Sequence, residues 1–157
     1  MRDSFINGLP HLMKSWKSIR SQMTNDLSDI DHLKMVCEFW SSAPISKRTL
    51  NWDNPEEWPD PWKLIANMEF DESSISLGMK YTLELSKDSR WNSNRCSLML
   101  IKDNIIHIQG IVLLIDNKWL LNYDYKSIIN IENNPQNYII QQRYSYNGKL
   151  HFITDIA

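Results

Sequence analysis

The chain predicts an α+β fold: N-terminal helices and a buried central helix, packed on a C-terminal antiparallel sheet of about five strands. Three observations carry this. Up to about residue 86, apolar side chains recur at steps of three and four. From residue 95 the apolar residues gather in short runs rich in Ile, Val, Leu and Tyr. Pairs such as Asp116-Asn117 and Asn147-Gly148 separate these runs, and connections so short make antiparallel neighbours. At 157 residues, 42% apolar and 23% charged, the chain reads as a single α+β domain, 1–157, able to bury a core without disulfide or metal staples.

The elements follow in order. Phe5, Leu9, Leu12, Trp16, Ile19 and Met23 form one apolar stripe, with Pro10 where a first helical turn tolerates it. Lys14, Lys17 and Arg20 line its solvated face. Ser28, with Asp31 three residues on, caps a second helix whose stripe is Ile30, Leu33, Cys37 and Trp40. Pro44 ends it. Residues 44–60 read as a proline-restricted loop, after which Asp60 caps a short helix with Pro61 at its first position. From Asp71 to about Ser86, Ile75, Leu77, Met79, Tyr81, Leu83 and Leu85 point in several directions, which marks a buried central helix. Ser74, Gly78 and Thr82 form a line of small residues at steps of four, so another backbone, expected to be the sheet, approaches closely there. Strands are expected over 96–101, 105–115, 118–122, 138–146 and 150–154.

Composition narrows the function classes. A net charge of −2 with scattered basic residues gives no electrostatic reason for a nucleic-acid or membrane partner. Cys37 and Cys96 lack metal or redox spacing, and Cys37 sits on an apolar stripe as a structural thiol would. His11, His32, His107 and His151 are dispersed, so neither a metal nor any other cofactor is expected. With four glycines there is no phosphate-cradling loop, and no Gly-x-Ser-x-Gly elbow occurs. The absence of an apolar leader and of a membrane-length apolar run predicts a cytoplasmic protein.

The segment Trp52-Asp-Asn-Pro-Glu-Glu-Trp58-Pro-Asp-Pro-Trp62 is the most distinctive one. Its tryptophans, Trp52, Trp58 and Trp62, can line a binding groove or staple an irregular loop onto the domain. Asp53, Glu56, Glu57 and Asp60 can face solvent or hold a hard cation, though their spacing matches no calcium loop.

The element order resembles the transglutaminase-like branch of the papain-type fold. Shorter segments, Phe39-Trp-Ser-Ser-Ala-Pro44, Trp58-Pro-Asp-Pro-Trp62, Ser73-Ser-Ile-Ser-Leu-Gly-Met79 and Leu114-Ile-Asp-Asn-Lys-Trp-Leu-Leu-Asn-Tyr-Asp124, resemble uncharacterised proteins of T4-like marine cyanophages over roughly residues 27–125. The family resemblance implies a Cys at the start of the central helix, a His on a following strand and an Asp or Asn on the next. Here Asp71 stands at the nucleophile position, and a carboxylate cannot perform thiolate acyl transfer. His107 lies on the histidine strand, and Gln109 fits the spacing to Trp119 equally well. At the acidic position stands Tyr123, flanked by Asn122 and Asp124. A Cys-His-Asp triad is thus degenerate at Asp71, His107, Gln109, Asn122 and Asp124. The expected function is that of a non-catalytic phage protein on this scaffold, in the host cytoplasm or the virion, acting through contacts with another protein, viral or host. The alternative is a hydrolase or transferase acting on amide bonds.

Overall fold

The computed structural model describes residues 2–47, 50–124 and 127–144. Four helices lie on one face of a five-stranded antiparallel sheet. The helices are α1 (Leu9–Gln22), α2 (Asp29–Trp40), α3 (Pro61–Asn67) and α4 (Glu72–Glu84). The strands are β1 (Cys96–Asp103), β2 (Ile108–Ile115), β3 (Trp119–Leu121), β4 (Ile128–Asn130) and β5 (Ile139–Tyr144), in the spatial order β4-β3-β2-β1-β5. Alternate residues of the long strands serve two cores. Leu98, Leu100, Ile111, Leu113 and Ile115 face the helices. Met99, Ile101, Val112 and Leu114 join Leu120, Tyr123 and Ile129 on the opposite face.

Local chemistry explains the boundaries. The Ser28 hydroxyl accepts from the Asp31 N–H and the Asp31 carboxylate accepts in return from the Ser28 N–H, a capping box. The Asp60 carboxylate accepts from the Lys63 N–H above Pro61. Gly8, at φ 90°, breaks the first stripe in two, so Phe5 belongs to a preceding 3-10 turn and α1 starts at Leu9. Asp116 and Asn117 both have φ 54°, the mirror-image turn that matches the twist of the β2–β3 hairpin.

Several expected strands change. The 105–115 run begins only at Ile108, because the buried Asp103 carboxylate accepts the N–H groups of Ile105 and Ile106 and turns the chain there. The 118–122 run is Trp119–Leu121, since Asn122 leaves the strand at φ 64°. β4 has no counterpart among the expected strands, because three residues are too few to show a period. The 138–146 strand is observed as Ile139–Tyr144, and its last two residues, like the expected 150–154 strand, lie outside the described residues.

α4 is the centre of the molecule: every residue from Ser73 to Leu83 is buried. On the Ser74–Gly78–Thr82 line, Gly78 and Thr82 meet helices and not the sheet. A Cβ on Gly78 would fall within the indole of Trp40, closer than atoms can approach. The Thr82 hydroxyl accepts from Trp16 Nε1 at 3.0 Å and Trp40 Nε1 at 2.9 Å, and donates to the Gly78 carbonyl at 2.7 Å. The reason for the reversal is size: two tryptophans from α1 and α2 need the recess, whereas the sheet meets α4 through its serines. No helix among the described residues is long and apolar enough to cross a membrane.

The 86–95 connection is clamped to the helical layer. Arg90 pairs with Asp88 and Asp29 and donates to the carbonyls of Thr24 and Leu27. Arg95 bridges Asp29 and Asp116 while stacking on Trp91. Trp91 Nε1 donates to His32 Nδ1 at 2.8 Å, which makes Nε2 the protonated nitrogen, donating to the Thr24 carbonyl.

Two expectations follow. Thr82→Val leaves two buried indole N–H groups without an acceptor and should cost about 2–5 kcal/mol in chemical denaturation, while Thr82→Ser stays close to the parent. The second concerns acid. The Arg90 hydrogen bond holds Asp88 below its ordinary carboxylate range. At Asp29, burial raises the carboxyl, and the Arg95 and Arg90 bonds outweigh it. Depressed carboxylates contribute stability that is complete above their unfolded value of about 3.9 and is lost as pH falls through the folded values. The protection of the amides of residues 87–95, taken relative to the exchange rate of an unstructured chain at the same pH, should therefore hold steady from neutral pH down to that value and fall below it.

Candidate functional site

The site is built where the N-terminus of α4 meets the edge of β2. Continuing the β2–β3 register, in which Leu113 faces Leu121, would place Ile111 opposite Tyr123, but the chain has already turned away at Asn122. The peptide groups of Ile111 lack a strand partner, and α4 supplies one. Ser73 Oγ accepts from the Ile111 N–H at 3.0 Å, and Ser76 Oγ donates to the Ile111 carbonyl at 2.7 Å. Asn122 Nδ2 closes the junction, donating to Ser76 Oγ and to the Glu72 carbonyl, both at 2.7 Å. Trp52 Nε1 donates to Ser73 Oγ at 3.0 Å, tying the tryptophan loop to the same point. Gly110 completes it: a Cβ there would stand 3.3 Å from Ser73 Oγ.

The sequence-derived positions are distributed unevenly around this junction. Asp71 is the N-cap of α4: its carboxylate accepts from the Ser74 N–H at 2.7 Å and from the Leu50 N–H, and its own N–H donates to Ser74 Oγ at 2.9 Å. It lines a separate hollow with Leu50, Asn51, Glu57 and Trp58. His107 is exposed in the β1–β2 turn at φ 57°, not on a strand. Gln109 Nε2 donates to Gln141 Oε1. No hydrogen bond or ion pair among the described residues joins Asp71 to His107 or to Gln109. Asn122 does reach the helix start, and Asp124 is exposed just beyond it.

Sequence reasoning missed Ser73, Ser76 and Gly110. A signal existed: serines crowded into the first turn of an otherwise buried helix need partners, and a glycine inside a strand marks a close approach.

The tryptophans divide. Trp58 is buried, packs on Tyr144 at 4.9 Å between centroids and donates to the Asn51 carbonyl. The Tyr144 hydroxyl donates to the Trp52 carbonyl, so Trp52 and Trp58 staple the loop. Trp62 remains 47% exposed, edge-on to Trp16.

Beside the junction lies a cleft of about 410 Å³, within the size range of small-ligand sites. Trp40, Ala43, Ile45, Ile75, Met79, Ile106 and Ile108 give it apolar walls, and Glu72, Asn122 and Asp124 give it polar groups. Cys37 also lines it, but burial pushes this thiol up to about 12, as it does that of Cys96, so thiolate is scarce at neutral pH. No cluster of three or more His, Cys, Asp or Glu able to hold a metal occurs among the described residues.

No known family and no curated protein matches the chain by sequence. Solved structures do. Legionella pneumophila LapG superposes with a TM-score of 0.68 at 12% identity, over 88% of this chain and 76% of that one. Its calcium-bound form gives 0.67 at 11% identity over 88% and 77%, and its EGTA-treated form 0.67 at 12% over 88% and 75%. At such identity the likeness shows that this chain shares the fold of LapG, and nothing of its chemistry.

The burial difference sets an order. Trp58→Ala should cost about 3–5 kcal/mol, as deletion of a fully buried ring does. Trp62→Ala should cost well under half of that in the same urea titration. Equal losses would mean that Trp62 is packed as fully as Trp58.

Proposed function

We propose that the chain is a transglutaminase-like scaffold put to non-catalytic use, holding a segment of another protein in the cleft beside the α4 N-terminus. One observation supports this above the others. The side chain that the helix start turns toward β2 is a serine, Ser73, already held by two donors, and the residue facing it is Gly110. No histidine hydrogen-bonds Ser73 or lines the cleft among the described residues. A hydroxyl needs a base to become a nucleophile, and a thiol pushed up to about 12 by burial does not substitute for it. In this reading the protein is a phage product working in the host cytoplasm or the virion, as the resemblance of residues 27–125 implies.

The purified protein should show no peptidase, deamidase or cross-linking activity on amide substrates, and both thiols should react slowly with iodoacetamide at pH 7.5 until the chain is unfolded. Amide hydrolysis that disappears in Cys37→Ala or Ser73→Ala, with the fold intact by circular dichroism, would make the chain a hydrolase instead.

A further inference from the structure

Three tryptophans run in contact from the cleft wall to an exposed surface of the helical layer. Trp40, 1% exposed, lines the cleft. Its Nε1–H and that of Trp16 both donate to Thr82 Oγ, at 2.9 and 3.0 Å, so the two indoles meet at one oxygen. Trp16, also 1% exposed, meets Trp62 edge-on with 6.2 Å between ring centroids. Trp62 is 47% exposed. Hydrophobic burial accounts for the first two rings and not for the third, which stays half in water.

Indole, with phenol, is among the side chains that give up one electron most readily, and electron exchange between rings in contact is fast. Electrostatics decides where the resulting hole rests. Thr82 Oγ accepts from both buried indoles and donates its own proton to the Gly78 carbonyl at 2.7 Å. A hydroxyl so used is no base, so neither Trp40 nor Trp16 can pass on the Nε1 proton that an oxidised indole sheds. The Arg20 guanidinium lies 4.1 Å above the Trp16 ring centroid. That contact attracts a neutral ring and repels a cationic one. Burial penalises a cation on either inner ring as well. Trp62 has water, which solvates a cation radical and takes its proton. All three effects drive the hole outward.

We infer that Trp40, Trp16 and Trp62 form a hole-transfer path, which carries oxidation from the cleft wall to the surface and makes Trp62 the residue consumed. A one-electron oxidant of the azidyl class that enters the cleft takes an electron from Trp40 and leaves as azide. Trp16 refills Trp40, Trp62 refills Trp16, and the Trp62 cation radical loses its Nε1 proton to water. The neutral radical then combines with superoxide and one proton to a hydroperoxide, which ends as an oxygenated indole. The path spares the two rings whose bonds to Thr82 tie α1 and α2 to α4. It is independent of what the cleft holds.

The test uses the full chain under radiolysis in aerated azide solution, which supplies azidyl radical and superoxide together. Oxygenated tryptophan is located by peptide mass spectrometry at low conversion, with Trp91, which lies off the path, as internal reference. In the parent the product should concentrate on Trp62 and spare Trp40. Trp62→Phe, a change at an exposed site, removes the end of the path, and the Trp40 product should rise severalfold against Trp91. Trp16→Phe removes the middle, and should raise the Trp40 product while lowering that of Trp62, in protein whose fold is intact by circular dichroism. An unchanged Trp40 yield in Trp62→Phe would mean that Trp62 is oxidised only because it is exposed, which overturns the path. A parent oxidised mainly at Trp40 overturns it too, since the hole then stays where it forms.

Discussion

The structure depends on burying a polar helix. α4 is covered from Ser73 to Leu83, yet within that span it carries Ser73, Ser74, Ser76, Lys80 and Thr82. Each of these groups costs free energy in the interior unless a partner is waiting for it. The partners come from every side: indoles of α1, α2 and the tryptophan loop, the edge of β2, and the side chain of Asn122. Lys80 is 1% exposed and meets Glu84 one turn on at 2.6 Å. Hydrophobic burial would be satisfied by many rotations of this helix; its hydroxyls are satisfied by one. Gly78 works with them, since the ring of Trp40 occupies the space of a side chain.

The same requirement shapes the candidate site. The start of α4 and the neighbouring edge of β2 face one another. In this chain the positions are taken up by structural bonding. Ser73 and Ser76 replace a missing strand for Ile111, and Asp71 caps the helix while gripping the 44–60 loop through Leu50. Beside that junction lies an apolar cleft that Glu72 and Asp124 also line.

The periphery obeys a similar economy. The irregular segments, 44–60 and 86–95, carry isolated backbone bonds, such as Ser46 N–H to the Phe70 carbonyl and Lys87 N–H to the Arg20 carbonyl, and side chains with donors at their tips add to them. Trp52, Trp58 and Tyr144 hold the first, and Arg90, Arg95 and the Trp91–His32 pair hold the second. An indole combines a large apolar area with one directional donor, which suits it to both tasks.

The sequence by itself determined what depends on neighbours along the chain. The Ser28 and Asp60 caps, the Asp116-Asn117 turn, the stripes of α1 and α2 and the buried character of α4 all rest on interactions a few residues apart, so their residue types leave a local pattern. The tertiary structure alone decided which face met what. The small-residue line of α4 could have received a strand, but received Trp40; His107 sat in an apparent strand until the Asp103 carboxylate turned the chain; Asn122, and not Asp71, reached the β2 junction. Trp52 with Ser73, Asn122 with Ser76 and Thr82 with Trp16 are paired across 21, 46 and 66 positions. Nothing local constrains such pairs: any hydroxyl could accept from any indole, and only the packed chain brings one to the other.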